Sequence, residues 1–253
     1  MRMSERVFTG RARGQSMVEF VVIVPTLLLL VLGIIQFAQI YIAKSTLDLA
    51  AFEGVRAGTL HSASSTSIKC GIAHGLMPLY GASASPNAVK VTWLGTKCGV
   101  VPPVAVVAST DARRYIAAYS NAFAAVDPAP LIGGKAEVDV QVLNPTANEF
   151  TAFGEQNASG KTQIPNSRLM WRPSTVPSGA IENIQEANLL VINVQYCYPM
   201  DVWFIKQVVQ GLAIGANKLI DNPTTFGTQC YTSGGVPLMA QSTMLMQSPA
   251  IQG

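Results

Sequence analysis

The sequence predicts an α+β protein: a long N-terminal helix, transmembrane and then stem-like, followed by a domain with a mostly antiparallel sheet. Three observations lead there. Residues 20–43 form a 24-residue run without a charged side chain; as a helix it is about 36 Å long, enough to cross a bilayer with some tilt. Residues 137–143 (EVDVQVL) alternate, with Val138, Val140 and Val142 on one face and Glu137, Asp139 and Gln141 on the other, the period of a strand. Residues 189–198 (LLVINVQYCY) make a second strand, apolar enough to lie centrally and buried.

The elements follow in chain order. Residues 1–14 carry Arg2, Arg6, Arg11 and Arg13 against Glu5, which accounts for the whole net charge of +3. That concentration marks a cytoplasmic flank under the positive-inside rule and leaves no basic stripe for nucleic acid. Within the apolar run, Pro25 cannot donate to the Val21 carbonyl, so a kink or loosened turn is expected at 21–25. Beyond Lys44 the helix is expected to continue to about Leu60 as a stem, with Glu53 and Arg56 spaced to pair. Residues 61–67 read as a polar loop, 88–94 and 104–108 as short strands, and 111–125 as an Ala-rich helix begun at Thr110 and stopped by Asp127-Pro128.

Residues 144–180, dominated by Asn, Pro, Ser, Gly and Thr, read as a long irregular excursion. Within it Trp171 is expected to cover the core as a lid, and the sequon Asn157-Ala158-Ser159 is taken as chance. A helix is expected to begin at Val202 and a closing strand to span 237–246, where Met244 and Met246 serve packing rather than metal binding.

Charged residues make up only 12 % of the chain and hydrophobic ones 49 %. That balance implies a well-buried core or surfaces that meet other subunits. The four cysteines, Cys70, Cys98, Cys197 and Cys230, all follow the apolar run, on the side opposite the arginines. That side is oxidising, so disulfides are expected. Four cysteines allow three connectivities; the sequence-local pairs Cys70–Cys98 and Cys197–Cys230 are favoured. Zinc is disfavoured, because the cysteine spacings are long and His61 and His74 are poorly placed to complete a site. No nucleophile elbow, phosphate loop or metal-ligand cluster is present as a motif, so no enzymatic activity, cofactor or metal is expected.

Gly14-Gln15-Ser16-Met17-Val18-Glu19 opens the apolar run with a carboxylate near its cytoplasmic edge, an expensive placement for a membrane helix. A secretory signal peptide has a shorter apolar region and a small-x-small cleavage site, which Ala43-Lys44-Ser45 does not supply. A plain membrane anchor, leaving an uncleaved periplasmic accessory or adhesive protein, is the remaining alternative.

The spacing Gly14…Glu19-Phe20, then Val24-Pro25 and a leucine-rich run, resembles the start of TadE/TadF-like proteins, minor pilins or pseudopilins of the bacterial tight-adherence (Tad, Flp-type, type IVb-like) pilus. Ala50-Ala51-Phe52-Glu53-Gly54-Val55-Arg56-Ala57 is similar to the stretch that follows the membrane helix there. Ala187-Asn188-Leu189-Leu190 and Thr243-Met244-Leu245-Met246-Gln247-Ser248 echo C-terminal segments, with Leu245 standing where arginine is expected. The resemblance touches both ends of the chain and leaves much of 60–185 uncovered.

It implies a pilus subunit active in surface adherence and cleaved by a prepilin peptidase between Gly14 and Gln15, where a missing side chain suits a scissile backbone. Glu19 would then pair with a new α-amino group during assembly. Partners implied are that peptidase, other pilins, the inner-membrane Tad platform and the lipid bilayer. The implied location is the bacterial inner membrane, N-terminus cytoplasmic and C-terminal domain periplasmic, before incorporation into a pilus.

Overall fold

A computed structural model describes residues 15–81, 98, 110–127, 137–200, 207, 211 and 225–252. The leader at 1–14, the strands expected at 88–94 and 104–108, and the helix expected from Val202 lie outside the described residues, apart from isolated positions. The chain is α+β. Helix α1 (Gln15–Leu60) is followed by α2 (Ser65–Tyr80) and α3 (Thr110–Val126), then β1 (Val138–Asn144), α4 (Ala147–Phe153), β2 (Glu155–Gln156) and β3 (Thr162–Ile164). After a 3₁₀ turn at Leu169–Trp171 come α5 (Ile184–Ala187), β4 (Leu189–Pro199), α6 (Thr225–Ser233), β5 (Gly235–Leu245) and β6 (Ala250–Ile251).

The main sheet runs β1-β4-β5, all antiparallel. Leu189 faces Leu245 and Pro199 faces Gly235 along β4 and β5, while Val140 faces Val194 between β1 and β4. Leu190, Ile192, Val194 and Tyr196 alternate along β4 and are all buried beneath the helices, with Leu238 and Ala240 beside them on β5. The valine face of β1 fades from buried Val138 to exposed Val142, and a register shift follows before Asn144 pairs again with Val191 of β4.

α1 does two jobs. Its outer part contributes Ala43, Leu47, Ala50, Ala51 and Val55 to the core. It ends where Ser62 and Ala63 take left-handed backbone conformations (φ 56° and 58°) and Ala63 N–H closes on the Gly58 carbonyl at 2.9 Å. Left-handed residues after a helix satisfy its last carbonyls, though non-glycine residues pay for them in strain. The C-terminal segment holds this end in place: Ser248 N–H and Oγ both donate to the Thr59 carbonyl, and Ile251 N–H donates to Ser62 O.

α2 was not expected. The polar stretch 61–67 reads as a loop leading into Cys70, yet the helix begins at Ser65 within it, and Ile68, Ile72 and Leu76 recur every four residues and are buried. That spacing was the available signal. α2 carries Cys70 and is tied to α3 by Lys69 Nζ and Asp127 Oδ1 at 2.9 Å.

The region 144–180 is more ordered than its composition suggests. The Thr146/Glu149 capping box starts α4, as the T-x-x-E pattern would have indicated. Asn157 takes part in the turn between β2 and β3: its Oδ1 accepts from Ser159 N–H and Lys161 N–H at 2.9 and 3.0 Å. Gly160 there sits at φ 72°, which glycine adopts without strain.

Trp171 is not a lid. It is 84 % exposed, beside Met170 at 90 %, because the turn that carries it is pinned backbone-inward. Gln185 Nε2 donates to the Leu169 and Arg172 carbonyls at 3.0 and 2.9 Å, and Arg172 Nε donates to Ser167 O at 3.2 Å.

Candidate functional site

The inner half of α1 projects from the head as a bare apolar rod. Side chains from Phe20 to Val31, and again Ile34 and Ile35, are exposed around it. One 18-residue stretch within Glu19–Leu60 reaches a mean hydropathy of 2.7 and is almost unburied. Leaving one such side chain in water costs roughly 1.5–3 kcal/mol, so the rod demands an apolar partner along its whole length. It is long and apolar enough to span a membrane.

Of the residues singled out from sequence, Gly14 lies outside the described residues and Gln15 is the first helical residue. Glu19 is exposed on the rod. The helix runs on through Pro25, and Thr26 Oγ1 donates to Val22 O at 3.0 Å. All four cysteines are in the head, bonded as Cys70–Cys98 and Cys197–Cys230. About 34 residues separate Glu19 from the level of Gly71, some 50 Å along the helix. The candidate residues therefore do not converge on one centre: they divide between the apolar rod and the braces of the head.

One stripe of α1 faces the head and is built from small residues. A Cβ on Gly54 would lie 2.4 Å from Ile72 Cγ1, and one on Gly58 would lie 2.6 Å from Leu190 Cδ2. From the other side, a Cβ on Gly75 would meet Ala50 Cα at 2.4 Å, and one on Gly71 would meet the Glu53 carbonyl at 2.7 Å. The Glu53-Gly54-Val55-Arg56-Ala57 motif thus has a packing role at Gly54, where α2 and β4 converge. On the same stripe Gln36 is buried at the level where the rod enters the head, and among the described residues neither of its amide atoms has a partner.

Glu53 pairs differently from the sequence expectation. Its Oε2 lies 3.2 Å from His74 Nδ1 on α2, and Arg56 makes no ion pair among the described residues. The close crossing at Gly71 and Gly75 brings His74 over Glu53, and a same-helix pair worth about 0.2–0.5 kcal/mol does not compete with that placement.

Glu53, Arg56, His61, His74, Tyr115 and Tyr119 line a cleft of about 430 Å³ beside the Cys70–Cys98 bridge. Both histidines therefore reach one cleft, which their sequence separation did not indicate. Burial, with a smaller contribution from Tyr115, pushes the Tyr119 phenol up to about 12; its hydroxyl donates to the Cys70 carbonyl at 3.2 Å.

The second bridge closes the end of the sheet where β4 finishes and β5 begins. Cys197, near the end of β4, joins Cys230 on α6, and a Cβ on Gly235 would lie 2.5 Å from Cys197 Sγ. A side chain at 235 would displace the bridge.

The fold and the rod together define a protein with a membrane-length helix whose C-terminal end is built into an α+β head. Comparison with protein families is more specific: residues 14–56 match the family described as TadE-like protein. The N-terminal segment is therefore TadE-like, and the match spans the rod and the Glu53–Arg56 motif. Comparison with curated proteins and with solved structures found no match.

Proposed function

We propose that this chain is a minor pilin or pseudopilin of a Tad-type pilus, with a structural rather than an enzymatic role in surface adherence. The observation that carries the reading is the TadE-like match beginning at Gly14, on a rod whose exposed apolar surface needs bilayer or neighbouring helices. In this reading the arginine-rich leader stays in the cytoplasm and the head folds in the periplasm with both disulfides formed. A prepilin peptidase cuts between Gly14 and Gln15. The new amine then lies within about a turn and a half of Glu19, and a carboxylate otherwise unpaired in apolar surroundings favours docking in the one register that supplies a positive partner.

The intact mass of the protein from its native envelope tests this. Loss of residues 1–14 supports the processed subunit. A native chain retaining Met1–Gly14 while pili assemble normally would instead make it a permanently anchored accessory protein. Replacing Gly14 by a bulky residue is expected to block processing, and normal maturation of that variant would contradict the proposed cut.

A further inference from the structure

The apolar surface of the rod does not stop where the head begins. Phe37, Ile40 and Tyr41 of α1 and Pro237, Leu238 and Met239 of β5 line an open apolar cleft of about 670 Å³, with Lys44 at its rim. Phe37 and Tyr41 are each 75 % exposed and Met239 is 47 % exposed, so the cleft continues the apolar surface of the rod onto the head. Its level decides what fills it. From Glu19 to Tyr41 the helix rises about 33 Å, close to the roughly 30 Å of a bilayer's hydrocarbon core. A helix that places Glu19 at the inner boundary therefore places the cleft at the outer one.

From this we infer that the outer-leaflet phospholipid occupies this cleft, and that the head rests on the membrane with the start of β5 in the lipid. The inference rests on the membrane reading of the rod. Each lining residue suits that boundary. Phe37 and Met239 meet acyl chain over the buried Leu238, and Tyr41 sits where an amphipathic ring is favoured. Lys44 lays its stem along the cleft while its ammonium reaches out to Asp48 and to the headgroup layer. Pro237 lacks an N–H, which lowers the cost of placing a strand end where water is scarce. β5 then climbs away from the membrane alongside α1, and Thr59 Oγ1 meets Met244 Sδ at 3.6 Å near its far end.

The test uses the full-length chain reconstituted in vesicles of phosphatidylglycerol and phosphatidylcholine, with a benzophenone amino acid replacing one residue at a time. The positions are Leu28 in mid-rod, Met239 at the cleft, and Leu245 at the opposite end of β5; disulfide formation by mass verifies folding. Lipid adducts at Leu28 and Met239, falling to background at Leu245, are expected. Adducts at Leu28 with background at both β5 positions would overturn the inference and leave the membrane reading standing. Background at all three would overturn both. Equal labelling at Met239 and Leu245 would also overturn it, because the head would then contact lipid without the proposed orientation.

Discussion

The crossing of α1 and α2 yields a sharp test through Gly75→Ala. A Cβ built at this position lies 2.4 Å from Ala50 Cα, 2.9 Å from Ala50 Cβ and 3.1 Å from Ala50 N. Carbon atoms in contact prefer about 3.5–4.0 Å, so the two helices must separate by about 1 Å. The obstacle is backbone, and no rotamer change relieves it. Overpacking of this kind costs roughly 1–3 kcal/mol, against which the helix gains at most about 1 kcal/mol from replacing glycine by alanine.

The expected net effect is a loss of up to about 2 kcal/mol, a fall in Tm of up to roughly 4–8 °C for a chain of this size, and relative to a glycine-to-alanine change in open space the full cost of about 1–3 kcal/mol remains. The control is Gly33→Ala, where a Cβ meets nothing within 4 Å and no loss is expected. The assay is thermal unfolding of the full-length protein in detergent with disulfides intact, followed by circular dichroism. Equal melting of the two variants would refute the close-crossing argument, since intrinsic helix preference alone makes them alike.

Three further outcomes follow from the same geometry. Glu149 is buried, which disfavours its charge. The Thr146 hydroxyl and the backbone N–H groups of Glu149, Thr146 and Ile181 outweigh that and hold its carboxyl below the usual range. Its charged form therefore stabilises the fold above the unfolded-state value near pH 4.3, and that stability is lost as pH falls through the lower folded value. Glu149→Gln is expected to cost about 1 kcal/mol at pH 7, with a gap from wild type that closes in acid; a gap constant across denaturant melts from pH 7 to 3 would contradict this. Replacing Cys197 and Cys230 together by serine opens a loop of 33 residues and is expected to cost about 3–4 kcal/mol, measured by urea unfolding against the oxidised parent. Glu19→Ala is expected to leave membrane insertion intact, by carbonate extraction, and to reduce incorporation into pili at least tenfold, the ratio equivalent to about 1.4 kcal/mol; wild-type incorporation would eliminate the pairing role.

Elements with one dominant period were legible in the sequence. The apolar rod, the β1 alternation, the continuous apolar β4 and the Ala-rich α3 each announce themselves locally, and the two sequence-local disulfides formed as favoured. α2 was missed because its serine- and threonine-rich start resembles a loop, and its glycines and Pro78 depress helix preference. In the fold those glycines favour the helix, since Gly71 and Gly75 permit the contact with α1. Trp171 departs from expectation because burial is the default for tryptophan, and only the inward hydrogen bonds of its turn reveal the opposite orientation. The cleft that gathers His61, His74, Glu53 and Arg56 depends on how three helices cross, and no spacing along the chain encodes that.

The 46 residues of α1 form one helix about 69 Å long, with no linker between the bare rod and the packed head. Load applied at the inner end passes directly into the seam where Gly54, Gly58, Gly71 and Gly75 interlock. The head therefore cannot swivel on a tether or be shed by clipping an exposed joint. It travels with its shaft like the cap of a piston, and whatever draws that shaft along its axis carries the head in the same stroke.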